Sequence, residues 1–371
     1  MIIIKETKDI KQFVKAQWLF YKNNPNFVPP IIAEEMKNFD KQKNPLYEHA
    51  DYQLFIAEKE GKIVGRIAAI ENKIHNEIHN DKVGFFGFFE CINDQNVASE
   101  LFNAAKKWLL ERGKNIMRGP TNPTFNDVIG FLVEGFDMPP VILNPYTNPY
   151  YLQLCENYGM QKAKDLYAYK LQNENYRSEK LVRLHDLVMQ KNNANLREVK
   201  FKNKKQFSKD VATLKELYNL AWEKNWGFVK MTEKEFDFLA ESLVQVGREE
   251  LALILEIEGK PVGFALVLPD INQSLIYNKK GSLLGAGWCL FTKRKKINNC
   301  RIIVLGVIPE YRNLGLDILL YYRIGDAALK LGIPNGDASW ILEDNEMMNR
   351  GLTKTMNGDR YKTFRIYEIE I

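Results

Sequence analysis

The chain has 371 residues, 45% hydrophobic and 27% charged, which suits two α/β domains of about 170–190 residues with real cores and excludes disordered and fibrous classes. Its 52 basic and 47 acidic residues leave a net charge of +5. That is too weak and too mixed to indicate nucleic acid, but it is compatible with an anionic cofactor or a membrane surface. Cys91, Cys155, Cys289 and Cys300 stand far apart without a C-x-x-C, so neither a zinc cluster nor a disulfide framework is expected, and a reducing cytoplasm is the expected location. The apolar start at residues 2–4 is too short for a signal peptide, and no apolar run reaches the ~20 residues of a membrane helix.

In chain order, residues 2–5 read as a strand, and Ile10, Phe13, Val14, Trp18 and Tyr21 keep helical spacing. Residues 54–58 and 63–70 read as strands joined by a turn at Glu60-Gly61-Lys62, and 83–89 as a buried strand. Residues 96–112 predict an amphipathic helix with Val97, Leu101, Ala105, Trp108 and Leu109 inward. Residues 119–151 are crowded with Pro, Asn and Tyr, which forbids a long helix there. That stretch is either a structured surface loop or a wall that shapes a substrate site. Asn122, Asn126, Tyr146 and Tyr150 are its candidate substrate contacts.

A composition shift at residues 172–175 marks a domain boundary. Helices at 179–190 and 209–224, a strand at 196–201, and a hairpin of strands at 253–256 and 262–268 are then expected. The two hairpins match: Glu58, Glu60, Gly61, Lys62, Val64 and Gly65 recur as Glu256, Glu258, Gly259, Lys260, Val262 and Gly263. The favoured reading is a duplicated fold with two like-built domains in tandem.

The strongest local signal is the stretch from Arg301 to Asp317. A buried strand ends in a turn with Pro309, and a loop with Gly315 opens an amphipathic helix over 318–331. The unpaired N–H groups of such a helix start suit a pyrophosphate, Gly315 permits close backbone approach, and Arg312 adds positive charge. Asn313, Leu314 and Leu316 complete this candidate cofactor turn. A strand at 337–343 follows, then a helix from Asn345 and a final strand at 364–368.

With Val307, Pro309, Arg312 and Gly315, the stretch resembles the acyl-CoA signature V-x-P-x-x-R…G of the GCN5-related N-acetyltransferase (GNAT) superfamily. Asp317 stands where that signature prefers Gly or Ala. The resemblance implies an α/β (α+β) fold of two tandem GNAT-like domains, each a mixed twisted sheet flanked by helices. Residues 1–172 would form an N-terminal domain without CoA binding, 173–195 a linker with a helix, and 196–371 the acyl-CoA-binding domain. The two central parallel strands would splay around the acyl-pantetheine arm, with N–H groups of Val307 and Ile308 on the thioester carbonyl and Asn345 on the arm. Amine acylation needs a base; strand alternation puts Asp337, Ser339, Ile341 and Glu343 on one face, with Glu343 the first candidate and Asp337 the second. Trp340, on the other face, and the cluster Asn225-Trp226-Gly227-Phe228 are further candidate substrate contacts. The tyrosine acid usual after the asparagine is missing, and no acid is assigned.

Longer blocks resemble a narrower group, the bacterial ceramide synthase-like tandem-GNAT proteins. They include Gly65-Arg66-Ile67-Ala68, Phe85 to Glu90, Arg118 to Pro123, Pro149-Tyr150-Tyr151, Trp222 to Phe228 and Ser339 to Asn345. This implies an acyl-CoA-dependent N-acyltransferase acting on a primary amine, in some members a long-chain sphingoid amine. A small-molecule or lipid-like amine is the expected partner, with peripheral contact at the inner membrane face and no nucleic acid. An aminoacyl-tRNA-dependent transferase and a catalytically silent ligand-binding protein remain open alternatives. His75 and His79, four apart, read as a solvated pair rather than a metal site. Lys293-Arg294-Lys295-Lys296 reads as a solvated loop or a contact for CoA phosphates or anionic lipid heads.

Overall fold

Apolar runs on either side of a Glu-Gly turn build the same hairpin twice. In a computed structural model describing residues 1–223 and 225–371 (of Tyr176 and Arg177, the backbone only), the first run comprises Ile2–Thr7 (β1), Ala50–Lys59 (β2), Lys62–Asn72 (β3), Val83–Cys91 (β4), the helix Gln95–Leu110 (α1) and Ile116–Gly119 (β5). The second comprises Ala194–Glu198 (β6), the helix Lys204–Trp222 (α2), Ala252–Ile257 (β7), Lys260–Pro269 (β8), Asn299–Val307 (β9), the helix Asp317–Lys330 (α3) and Asn335–Leu342 (β10). The chain closes with Asp359–Glu370 (β11).

β1 to β4 pair antiparallel in order and β5 joins β4 in parallel. β6 to β9 repeat that order, with β10 parallel to β9. The hairpins agree in detail. Glu60 and Gly61 have φ of 54° and 74°, and Glu258 and Gly259 have 50° and 78°, the doubly left-handed turn that matches strand twist. Both hairpins also slip register at the same place, between Ala57 and Glu58 and between Leu255 and Glu256. The fold is α/β, a mixed sheet flanked by helices.

Two compact units result. The first holds residues 1–166, 274–292 and 362–371; the second holds 167–273 and 293–361. They interleave, whereas the sequence was expected to divide consecutively at 172 and 196. β11 accounts for part of this, because its residues 367–370 pair with β5. Other shifts are local. β6 spans Ala194–Glu198 instead of 196–201, and α2 starts at Lys204 and ends at Trp222. Lys224, the expected last residue of that helix, lies outside the described residues.

In the first unit α1 starts on Asp94, whose side chain accepts from the amide of Asn96. Its apolar face packs on Phe86 and Phe89 of β4, while Phe85 and Phe88 pack with Phe13 and Phe39 on the opposite side. Both faces of β4 are therefore covered, which explains its continuous apolar run. One charge interrupts it. Glu90 is buried and accepts from Tyr151 Oη at 2.6 Å and Gln17 Nε2 at 3.0 Å, with Arg66 Nη2 at 3.8 Å. Arg66 donates to the Phe13 carbonyl at 2.7 Å and lies over the Phe13 ring. Three sequence blocks thus converge on one buried pair.

His75 corrects the sequence reading. It is buried, with its ring against Phe85 and Phe125, while His79 is exposed. Burial, reinforced by His79, pushes the His75 imidazole down to about 4, so it is neutral at physiological pH.

Candidate active site

In the second unit, β9 and β10 pair in parallel from Asn299 with Asn335 to Ile302 with Ala338. Their described pairing ends there, although β9 continues to Val307 and β10 to Leu342. The strands have parted. Residues 303–306 and 340–342 are half-exposed along the opening. Ile302, Leu305, Ala338, Ile341, Tyr321 and Met348 share one apolar cluster there.

The antiparallel neighbour β8 fixes how β9 presents its amides. The Ile308 N–H donates to the Val262 carbonyl at 2.9 Å, so it is not aimed at the opening as expected. Strand alternation turns the preceding N–H, that of Val307, the other way. Of these two amides, that of Val307 is the one turned toward the gap.

The turn after β9 runs through Pro309–Leu314 to Gly315, whose φ of 71° is costly for any side chain. Asn313 and Leu314 are exposed, and Leu316 is buried beneath α3. Arg312 braces the turn: Nε donates to the Val307 carbonyl at 3.2 Å and Nη2 to the Ala221 carbonyl at 2.7 Å. It was expected to point at an anion. Asp317 is the first residue of α3. Burial pushes its carboxyl up, and the amides of Asp317 and Ile318 bonding to it oppose that. Its carboxylate therefore sits at the helix start read as a pyrophosphate seat.

On the paired part of β10, Asp337 is buried and forms a compact polar network. Ser339 Oγ donates to Oδ1 at 2.5 Å and Tyr361 Oη to Oδ2 at 2.6 Å. Arg301, opposite Asp337 in register, places Nε 3.9 Å from Oδ1. It also donates to the Ser339 carbonyl and lies over the Trp340 ring at 4.6 Å. Burial pushes the Arg301 guanidinium down to about 10 against the pull of Asp337. The Tyr361 phenol is pushed up, by burial first and then by the Asp337 charge. Glu343 lies just past the end of β10 and is half-exposed. Asn345 caps the next helix, Glu346–Arg350, by accepting from the amide of Met348 at 3.2 Å.

The chain is 32% identical over 379 residues to the bacterial ceramide synthase of Caulobacter vibrioides (strain NA1000 / CB15N), covering 99% of this chain and 96% of that protein. It belongs to the bacterial ceramide synthase-like group. The Escherichia coli (strain K12) Protein YghO is 33% identical over 371 residues, covering 98% of this chain and 93% of that one. Among solved structures, a tandem GNAT protein from the clavulanic acid biosynthesis pathway shares the fold, with a TM-score of 0.58 at 10% identity over 100% of this chain and 98% of that chain. No family model matches the chain.

In this ceramide synthase-like chain, the Val307–Leu316 turn, Asp337, Trp340, Glu343 and Asn345 all belong to the second unit. Asn225 and Trp226 belong to the same unit, in the turn after α2. The other candidate substrate contacts lie in the first unit, where polar groups serve its own packing. Asn122 Oδ1 accepts from the Phe88 amide at 2.6 Å, the Tyr146 hydroxyl donates to the Phe136 carbonyl at 2.9 Å, and the Tyr150 hydroxyl donates to the Cys91 carbonyl at 2.8 Å. The amide of Asn126 donates to Thr124 Oγ1 at 3.1 Å. Sequence reasoning missed Arg301 and Tyr361. A signal for the first existed: one arginine and one aspartate in otherwise apolar parallel strands. Tyr361, far along the chain from Asp337, had none.

Proposed function

We propose that this protein transfers an acyl group from acyl-CoA to a primary amine, and that the amine is long-chain and sphingoid-like. The observation that carries the reading is the parting of β9 and β10 after Ile302 and Ala338. A flat pair of strands has no room for a thioester arm, whereas parted strands expose an apolar floor and unpaired amides. In this reading the Val307 N–H polarises the thioester carbonyl, Asn345 contacts the arm, and the amides of Gly315 and Leu316 take the pyrophosphate beside Asp317. Glu343 removes the ammonium proton, the amine nitrogen bonds to the thioester carbon and gives up its second proton to solvent, the C–S bond breaks, and the thiolate leaves to be protonated from solvent. Asp337 stands behind Glu343 as a positioning group held by Tyr361, Ser339 and Arg301. The protein works in the cytoplasm, at the inner membrane face where such amines reside.

The first unit is proposed to bind no CoA. After β4 the chain passes Asp94 straight into α1, and Asp94 already caps that helix. Asp317 favours a second reading, a ligand-binding protein without turnover, because it occupies part of the seat. Calorimetry separates the two. The native protein is expected to bind CoA at one site, and Gly315→Glu, which adds both a strained φ and a negative charge, is expected to abolish the heat. Full affinity in that variant would remove the turn from the site.

A further inference from the structure

The helix Leu283–Thr292 is at odds with its surroundings. From Gly281 to Thr292 the chain carries no charge, and a helix apolar on all sides is normally buried all round. Here only one side is buried, that of Ala286 and Cys289. On the other side Leu284 is 89% exposed, Trp288 69% and Phe291 82%. These three are spaced i, i+4 and i+7, one stripe along the helix. Leu283 adds to its flank. Aromatic side chains carry about 150–250 Å² each, so the two rings alone turn roughly 300 Å² of apolar surface outward, already within the range of functional patches.

The helix is held firmly at its start. Trp18 Nε1 donates to the Lys279 carbonyl at 2.9 Å, and the Ile32 amide to the Gly281 carbonyl at 2.9 Å. A Cβ on Gly281 would lie 2.5 Å from the Pro30 carbonyl oxygen, so close packing fixes this corner. The exposed stripe is a built surface.

Charge identifies what it meets. Lys279 and Lys280 precede the helix, and Lys293, Arg294, Lys295 and Lys296 follow it in the chain, with no acid anywhere between 279 and 296. Those six cations exceed the net +5 of the whole protein, so the rest of the chain is slightly acidic. Ten residues rise only about 15 Å, half a bilayer core, so this helix cannot span one. An apolar stripe flanked by cations instead lies flat at the boundary of headgroups and acyl chains.

We propose that the helix Leu283–Thr292 inserts Leu284, Trp288 and Phe291 into an anionic membrane surface, with Lys279 and Lys280 at its start on the lipid phosphates. The inference extends the proposed lipid-like acceptor but draws none of its evidence from it. It is tested by co-sedimentation of the full chain with vesicles. Binding to vesicles of phosphatidylcholine and phosphatidylglycerol is expected, at least tenfold weaker to phosphatidylcholine alone or in high salt, since each cation near the surface strengthens binding by about fivefold. The double variant Trp288→Ser/Phe291→Ser should lose at least tenfold with unchanged circular dichroism. Absence of binding to the anionic vesicles, or equal binding by the variant, overturns the proposal. So does a native dimer in light scattering that the same variant disperses, because the stripe would then face a second copy. Acyl transfer between short, soluble substrates reports on the enzyme reading separately, because the variant leaves the parted strands untouched.

Discussion

Glu343→Gln is expected to lower turnover by ~10²–10⁴ between about pH 6 and 9, the usual loss when a positioned base is removed. Its half-exposed place just past the end of β10 lets it meet an incoming amine. Asp337, by contrast, is buried and bonded to Ser339 and Tyr361. The two carboxylates therefore separate by readout. Loss of Glu343 should lower kcat with little change in donor affinity, whereas Asp337→Asn should disturb Arg301 and Tyr361 and soften the strands themselves. Near-normal turnover in Glu343→Gln together with abolished turnover in Asp337→Asn would move the base to Asp337.

Arg66→Met is expected to cost about 3–5 kcal/mol of stability, because it leaves a buried carboxylate without its counter-charge. Arg66 and Glu90 side chains are only 3% and 6% exposed. Burial lowers the arginine pKa and raises that of Glu90, each against the attraction of the other. Desolvation is thus the larger effect at both ends, and the pair tolerates loss of both charges better than loss of one. Urea denaturation checks this: Arg66→Met/Glu90→Gln should recover part of the loss. A double variant as unstable as the sum of the two single variants would mean that the carboxylate and the guanidinium act independently.

Legibility in the sequence followed locality. The hairpins were readable because their turns need two left-handed residues, which Glu-Gly supplies at both copies. β4, α1 and the strand–turn–helix around Gly315 were readable from period and from one glycine. The interleaving of the units was not, because the pairing of β11 with β5 joins residues some 250 apart, as Arg118 and Glu368 do. The site shows the same limit. Alternation along one strand placed Asp337 beside Ser339, but only the register of β9 against β10 puts Arg301 opposite, and only the return of β11 delivers Tyr361. The orientation of the Ile308 amide and the carbonyls that hold Arg312 depend on β8 and α2. His75 misled for a related reason: helical spacing with His79 was correct, but Phe85 and Phe125 cover one ring and leave the other in water.

The central claim is that the parted strands of the second unit carry N-acyl transfer to a long-chain amine. Incubation with radiolabelled acyl-CoA and a homologous series of primary amines tests it, with amide product as the readout. Burial is worth ~0.8 kcal/mol per methylene, so four added methylenes in an apolar site contribute roughly 3 kcal/mol, about a hundredfold in affinity. The account predicts amide formation with kcat/KM climbing steeply along the series. No amide from any donor and amine pair would contradict it outright, and a flat series would leave N-acylation standing without the long-chain acceptor.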